Sequence, residues 1–381
     1  MDFTPSEEQR LLAESVARFL EKEYSFEKRR ALLASELGYS RANWARFAEL
    51  GWLGIATPEE LGGLGGGAVE SAIVMEAIGR HLVLEPYFSS VILGASLLRQ
   101  AGEGSAPLLA ELARGKLMLA LAHTEPKARF ELAHVETRAE RSGGSFRLSG
   151  HKAVVLDAPS ADRLIVSART AGSVAETSGI TLFIVPKAAA GISLVPYGTS
   201  CGRRAAEVRL AAVAVESEAI LGPLDGGYAL LERTADEALA ALAAEAAGAM
   251  AALLALTRDY LKTRKQFGVP IGSFQVLQHR LVDMFTAQEL ARATSEAAAR
   301  ILSDAASPAA YRARAAAAAK VQAGRAGRLV GEEAVQLHGG MGMTDELAVS
   351  HYFKRLAMID VLFGNADHHL RRFSELEAAT A

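Results

Sequence analysis

The chain has 381 residues, half of them hydrophobic and 22% charged, with a net charge of only -3. Such a length buries a large core and leaves room for two or three subdomains, and so small a charge gives no electrostatic case for nucleic acid as a partner. The only cysteine, Cys201, excludes a disulfide framework and a thiolate metal cluster. The N-terminus reads as the start of an amphipathic helix rather than an apolar signal region, and no apolar run reads as long enough to span a bilayer. The expectation is therefore a cytoplasmic protein with no membrane span.

In chain order, the first part is helical. Thr4-Pro5-Ser6-Glu7 predicts a helix start, with Thr4 as cap, Pro5 in the first helical position and Glu7 completing a capping box. Leu11, Leu12, Val16, Phe19 and Leu20 then recur at helical spacing. A second helix through Trp44, Phe47 and Leu50 is predicted to stop at Gly51. After a glycine-rich turn at Gly62 to Gly67, helical patterns resume from Val69 to about Gly115. The middle part changes character. Phe146 to Leu156, Leu164 to Ala168, Ile180 to Val185 and Val208 to Val215 are short β-branched runs bounded by turn residues, and Ala171 to Gly179 reads as a surface loop. The last part predicts four long helices, Gly227 to Thr263, Phe274 to Ser303, Pro308 to Leu337 and Glu346 to Leu376, rich in alanine as closely packed helices are. The fold class is α+β: an all-α domain over 1–118, an antiparallel β-barrel domain over 119–225 and a four-helix bundle over 226–381.

Two strings carry chemistry. Thr263-Arg264-Lys265-Gln266-Phe267-Gly268, followed by Phe274-Gln275, ends a helix with cations and an aromatic. Arg264 suits a phosphate, Phe267 a flat ring, and Gln275 offers both donor and acceptor. Alone, the string reads better as a basic helix end answering the macrodipole, with Phe267 as a core plug. Gln336-Leu337-His338-Gly339-Gly340-Met341-Gly342 closes a second long helix, and its glycines allow close approach of backbone to a ligand, although a helix C-cap also explains Gly339. Glu245, isolated among alanines, reads as a hydrogen-bonding residue inside the bundle, and Asp367-His368-His369 as a solvated helix start.

Taken together and in this order, these strings resemble the C-terminal domain of acyl-CoA dehydrogenases. The resemblance extends through Phe47 to Gly63, Thr124-Glu125-Pro126 and Gly150 to Asp157, and so covers nearly the whole chain. It implies FAD as cofactor and an acyl-CoA substrate. It also implies an electron-transfer flavoprotein as acceptor and a homotetramer, or a heterotetramer with a related chain. Arg264, Phe267, Phe274, Gln275, Gln336, Gly339 and Gly340 would contact the FAD diphosphate and adenine of a neighbouring subunit. His123, Thr124, Val154, Val155 and Leu156 would face the isoalloxazine, with Phe363 and Asn365 also beside the cofactor.

Three departures from the family pattern stand out. Thr-Glu-Pro continues as Lys127-Ala128-Arg129-Phe130-Glu131 without the expected serine. Val154-Val155-Leu156 replaces Trp-Ile-Thr. The family's Tyr-Glu-Gly-Thr becomes Leu362-Phe363-Gly364-Asn365, so the usual glutamate base is Phe363. Some members carry the base on the first bundle helix instead. That place falls on Ala238, beside Asp236 and Glu237, which are the candidate catalytic carboxylates or else ordinary polar residues near a helix start. The expected activity is α,β-dehydrogenation of an acyl-CoA thioester. A non-catalytic FAD-binding partner subunit, a flavin monooxygenase or oxidase on the same fold, and a helical binding protein without flavin are the competing readings.

Overall fold

A computed structural model describes residues 3–378. The chain divides into two compact units, neither of them one continuous stretch. The first comprises the segment up to Ala31, Ala68–Val83 and everything from Leu239; the second comprises Leu32–Gly67 and Leu84–Ala238.

The first unit is helical. Helix α1, Glu7–Glu23, starts two residues later than the Thr4-Pro5 signal predicts: Ser6 is the cap, and its hydroxyl and the Gln9 side chain form the capping box. A serine hydroxyl followed three residues on by an amide satisfies both end N–H groups, which Pro5 cannot help to do. Helix α2, Phe26–Ala34, has almost no amphipathic pattern and was not foreseen. Helix α4, Ala68–His81, crosses α7, Gly227–Thr263, at two glycines: a Cβ on Gly79 would meet the Glu245 carbonyl, and one on Gly248 the Glu76 carbonyl. Only glycine lets the two backbones come so close. Helices α8 (Gln275–Ser303), α9 (Ala309–His338), α10 (Ala348–Val361) and α11 (Ala366–Ala378) complete the unit.

Two expectations need correction here. Helix α7 is long and apolar enough to cross a membrane, with a window of mean hydropathy 1.9, contrary to the reading that no such run exists; 72% of that window is buried within the protein, as in a bundle core helix. The predicted final helix is broken in two. Helix α10 ends at Val361, and Phe363 and Gly364 turn the chain with φ of +57° and +105° before α11 begins. No proline marks this break, and its local signal is the pair Gly364-Asn365.

In the second unit, α3 (Arg41–Glu49) ends at Gly51 in the left-handed conformation, as predicted. Beyond Leu84 the expected long helical stretch is interrupted: a fully buried π-helical segment, Phe88–Gly94, leads into α5 (Ala95–Ala101), and α6 (Ala106–Ala113) follows. The Ser89 and Ser90 hydroxyls bind Asp157 and Leu119, so the irregular turn is braced against the sheet. The sheet contains β1 (Leu119–Ala122), β2 (Arg138–Ser142), β3 (Ser145–Leu156), β4 (Arg163–Arg169), β5 (Ile180–Pro186), β6 (Ile192–Gly198), β7 (Arg204–Glu216) and β8 (Ile220–Leu221). The order is β6-β7-β3-β2-β4-β5-β8, with β1 on β4. Pairing is antiparallel except for β1 along β4 and a single β2–β4 register pair. Its apolar filling includes Phe146, Leu148, Leu164, Phe183, Val208 and Val213.

Candidate functional site

The glycine-rich and basic strings meet in the first unit. Tyr260 stacks on His338 with ring centroids 4.3 Å apart, one turn before Arg264 and just before Gly339. A two-residue hairpin follows Arg264: β9 (Lys265–Gln266) pairs antiparallel with β10 (Val269–Pro270). Its turn residues Phe267 and Gly268 have φ of +53° and +81°, the signature of a type I′ turn. Glycine adopts that conformation freely, but phenylalanine does so against steric cost. The result is an aromatic ring 91% exposed, touched by Phe274 at 6.1 Å between centroids.

Arg264, Gln275 and Gln336 are exposed and make no side-chain hydrogen bond or ion pair among the described residues. Open space surrounds the Cα of Gly339 and of Gly340, and Gly339 has φ of +61°. One guanidinium, two amides, an aromatic face and bare backbone form a donor set that fits a diphosphate joined to flat rings.

The turn between α10 and α11 is held from below. Lys320 is fully buried and donates to the carbonyls of Asp360, at 2.7 Å, and Gly364. Burial pulls its pKa down to about 7, with Asp360 opposing. His369 donates from Nε2 to the Phe363 carbonyl at 2.8 Å and is buried, so it is not part of a solvated helix start as the sequence suggested. Burial drives its pKa down to about 3, which keeps the ring neutral and the Nε2 proton on the carbonyl. Asn365 turns its Oδ1 to the His368 N–H at 3.0 Å and so caps α11.

In the second unit, the Thr-Glu-Pro and Gly-x-Lys strings are joined by a buried ion pair. Lys152 Nζ lies 2.7 Å from Glu125 and 2.9 Å from the Ser167 hydroxyl, and also donates to the His123 carbonyl. Burial lowers Lys152 to about 8 against the pull of Glu125. In Glu125, burial acts to raise the pKa, but Lys152 and the hydrogen bonds from Thr137 outweigh it and hold the carboxyl below its usual value; the Glu136 N–H donates to the same carboxylate at 2.6 Å. His123, whose Nε2 meets the Thr124 hydroxyl at 3.1 Å, is pulled down to about 4 by burial and then by Lys152. Of the three residues at 154–156, Val154 is 43% exposed and Leu156 half-buried, while Val155 turns into the sheet core, as strand alternation requires.

The two candidate carboxylates differ. Asp236 is buried. Glu237 lies 2.8 Å from Arg99 of α5 and 3.8 Å from Arg233, so its oxygens already serve two guanidinium groups. Glu245 forms a two-pronged ion pair with Arg355 of α10, at 2.7 and 2.6 Å, with both side chains buried. Sequence reasoning foresaw a hydrogen bond at Glu245 but not its charged partner, and it missed Lys320 altogether. In an alanine-rich helix, a lone lysine on the buried face was the available signal for Lys320.

Comparison with known proteins identifies the family of the chain. The N-terminal, middle and C-terminal domains of acyl-CoA dehydrogenase match residues 6–106, 120–213 and 225–375. The probable acyl-CoA dehydrogenase YngJ of Bacillus subtilis (strain 168) is 31% identical over 96% of this chain and 97% of its own. Among solved structures, the Tcur3481-Tcur3483 steroid acyl-CoA dehydrogenase superposes with a TM-score of 0.87 at 31% identity, over 98% of this chain and 99% of that one. A chain of the ChsE4-ChsE5 complex from Mycobacterium tuberculosis gives 0.88 at 27% identity, with both chains fully covered. The protein therefore belongs to the acyl-CoA dehydrogenase family, whose activity is the FAD-dependent dehydrogenation of acyl-CoA thioesters.

Proposed function

We propose that this chain takes part in α,β-dehydrogenation of a bulky, ring-bearing acyl-CoA beside a related chain that supplies the base, with electrons passed to an electron-transfer flavoprotein. The observation that carries the two-chain reading is the side chain at the α10–α11 turn. The family resemblance puts the proton-abstracting carboxylate there, and this chain holds Phe363, which has no atom to accept a proton. The turn itself is kept in shape by Lys320 and His369. Its backbone is therefore available for the role the family gives it, an N–H at Phe363 polarising the thioester carbonyl.

Two further observations support the assembly. Phe267, Val276, Val282, Phe285, Leu290 and Met343 are all more than half exposed, which is apolar surface suited to another subunit. Relatives include the paired steroid enzyme and the ChsE4-ChsE5 complex. When bound, FAD would supply the acceptor for the hydride that leaves the β-carbon. Arg264, Gln275, Gln336, Gly339 and Gly340 would hold the diphosphate, and Phe267 and Phe274 the adenine, of a neighbouring subunit's FAD, while His123, Thr124, Val154 and Leu156 would face the ring of this chain's own.

A second reading keeps the base in this chain at Asp236. It is favoured by the burial of Asp236 and by the engagement of Glu237 with Arg99. One experiment separates the two. The chain is expressed alone, loaded with FAD and titrated anaerobically with ring-bearing and straight-chain acyl-CoA thioesters. Unbleached flavin, with bleaching restored by a co-expressed related chain, is the expected result. Bleaching by the lone chain that disappears in Asp236→Asn would overturn the two-chain reading in favour of the second.

A further inference from the structure

Strand β3 carries an irregularity with an unusual anchor. Lys152 pairs with Val208 and Val155 with Ala206, so the two residues Ala153 and Val154 stand opposite the single residue Glu207 of β7. This is a β-bulge, and Val154 occupies it with φ of +51°. A β-branched residue in the left-handed region is a strained choice that survives only where its surroundings enforce it.

The enforcement is visible. The Ala153 N–H donates to the Thr124 carbonyl at 2.8 Å. The Val154 N–H, which the bulge removes from the ladder, donates to Glu207 Oε1 at 3.3 Å. The same carboxylate takes the Tyr197 hydroxyl from β6 at 3.1 Å and the His151 Nε2 from β3 at 2.6 Å. Three donors from two neighbouring strands thus converge on one side chain at the only place where β3 loses its register with β7 beyond Gly150. Val154 is pushed outward at 43% exposure, while Val155 stays in the core.

We propose that Glu207 is a positioning residue: it builds the Ala153–Val154 bulge and thereby sets the wall that Val154 and Leu156 present to the flavin ring. The inference rests on the reading that this segment faces the flavin. Tyr197 and His151 hold the carboxylate in place, and Glu207 holds the backbone. A glutamine retains an oxygen acceptor for Val154 and Tyr197, whereas alanine leaves the bulge amide without its partner.

The test uses the FAD-loaded protein, in its assembly if it forms one, and reads the flavin rather than turnover: the position and resolution of the visible bands, the quenching of flavin fluorescence, and the dissociation constant for FAD. Glu207→Ala is expected to shift the bands and weaken FAD binding roughly tenfold, the size of one lost hydrogen bond to a charged group. Glu207→Gln should stay close to the parent, and Tyr197→Phe should fall between them. If Glu207→Ala lowers the melting temperature while leaving the flavin bands and FAD affinity unchanged, Glu207 is merely structural and the proposal fails. Should that variant not fold, a Glu207→Gln protein with strongly shifted bands and Tyr197→Phe with none overturns it equally. Val154→Ala is the control for the underlying reading: unchanged bands in that variant show that the segment does not face the flavin, independently of Glu207.

Discussion

Removing one partner of the Glu245–Arg355 pair is the sharpest test of how the helical unit is held together. Both side chains are buried, and the guanidinium meets the carboxylate with two bonds of 2.7 and 2.6 Å. Arg355→Met takes from the buried Glu245 carboxylate the guanidinium that holds it with two bonds, a loss of about 3–5 kcal/mol for pairs of this kind. A cooperative unit of this size loses roughly 2–4 °C of melting temperature per kcal/mol, so the variant should melt roughly 6–20 °C lower. Glu245→Gln should cost less, because the Gln oxygen still accepts one bond from the Arg355 guanidinium. The combined Glu245→Leu/Arg355→Met protein removes both charges together and should recover most of the loss. The assay is thermal and urea unfolding of the FAD-loaded protein at fixed concentration, arranged as a double-mutant cycle. A single Arg355→Met variant melting within about 2 °C of the parent, or a double variant worse than the two singles combined, would falsify the reasoning.

Three further outcomes follow from the same structure. His123 and His369 are neutral in the fold, with pKa values pulled to about 4 and about 3 by burial from a starting value of 6.5, so the unfolded chain binds more protons below pH 6.5. Their contribution is complete above pH 6.5 and is lost as the pH falls through the window toward 4 and 3; urea midpoints against pH should show this slope, and His369→Gln should reduce it. Lys320, lowered from 10.5 to about 7, works in the alkaline range: the unfolded chain holds its proton where the native one does not, so stability rises between those values. Lys320→Met should flatten that rise and strand the Asp360 and Gly364 carbonyls, with a cost of about 1–3 kcal/mol for each carbonyl left unpaired. Gly79→Ala, whose new methyl would strike the Glu245 backbone carbonyl, should unfold at markedly lower urea, whereas Gly268→Ala, with nothing within 4 Å, should be limited to the cost of its positive φ.

The long periodic elements were legible because periodicity is a local property. Helix α7 runs over the same residues, Gly227 to Thr263, that its apolar pattern marks, and β3, β4, β5 and β7 each contain the run predicted for them. What escaped notice depends on contacts far along the chain. Strand β1 is a short apolar run, LALA, that becomes a strand only by pairing with β4, and the edge strand β6 contains Pro196, which argues against a strand in isolation. The break at Phe363 has only Gly364-Asn365 as a local mark, and what holds it lies elsewhere: the carbonyls that leave the helix are caught by Lys320 and His369. For the candidate site, the sequence marked Arg264, Phe267 and Gly339, and the type I′ turn explains why Phe267 is thrown outward. It did not mark Glu207, since a glutamate on an alternating strand looks like any solvated residue until the bulge opposite it is seen.

The crossing of α4 and α7 also determines how the helical unit can move. Gly79 lies against residue 245 and Gly248 against residue 76, so each helix contributes one bare position, three residues from the position that receives its partner's. The two gaps interlock like the teeth of a ratchet with a single stop. Sliding either helix by one turn would drive a side chain into backbone at both points at once, while a small rotation about the contact would not. Interfaces of this kind suppress shear and leave pivoting as the available motion. Rearrangement of this helix pair is therefore confined to pivoting, with the middle of α7 acting as the fixed reference.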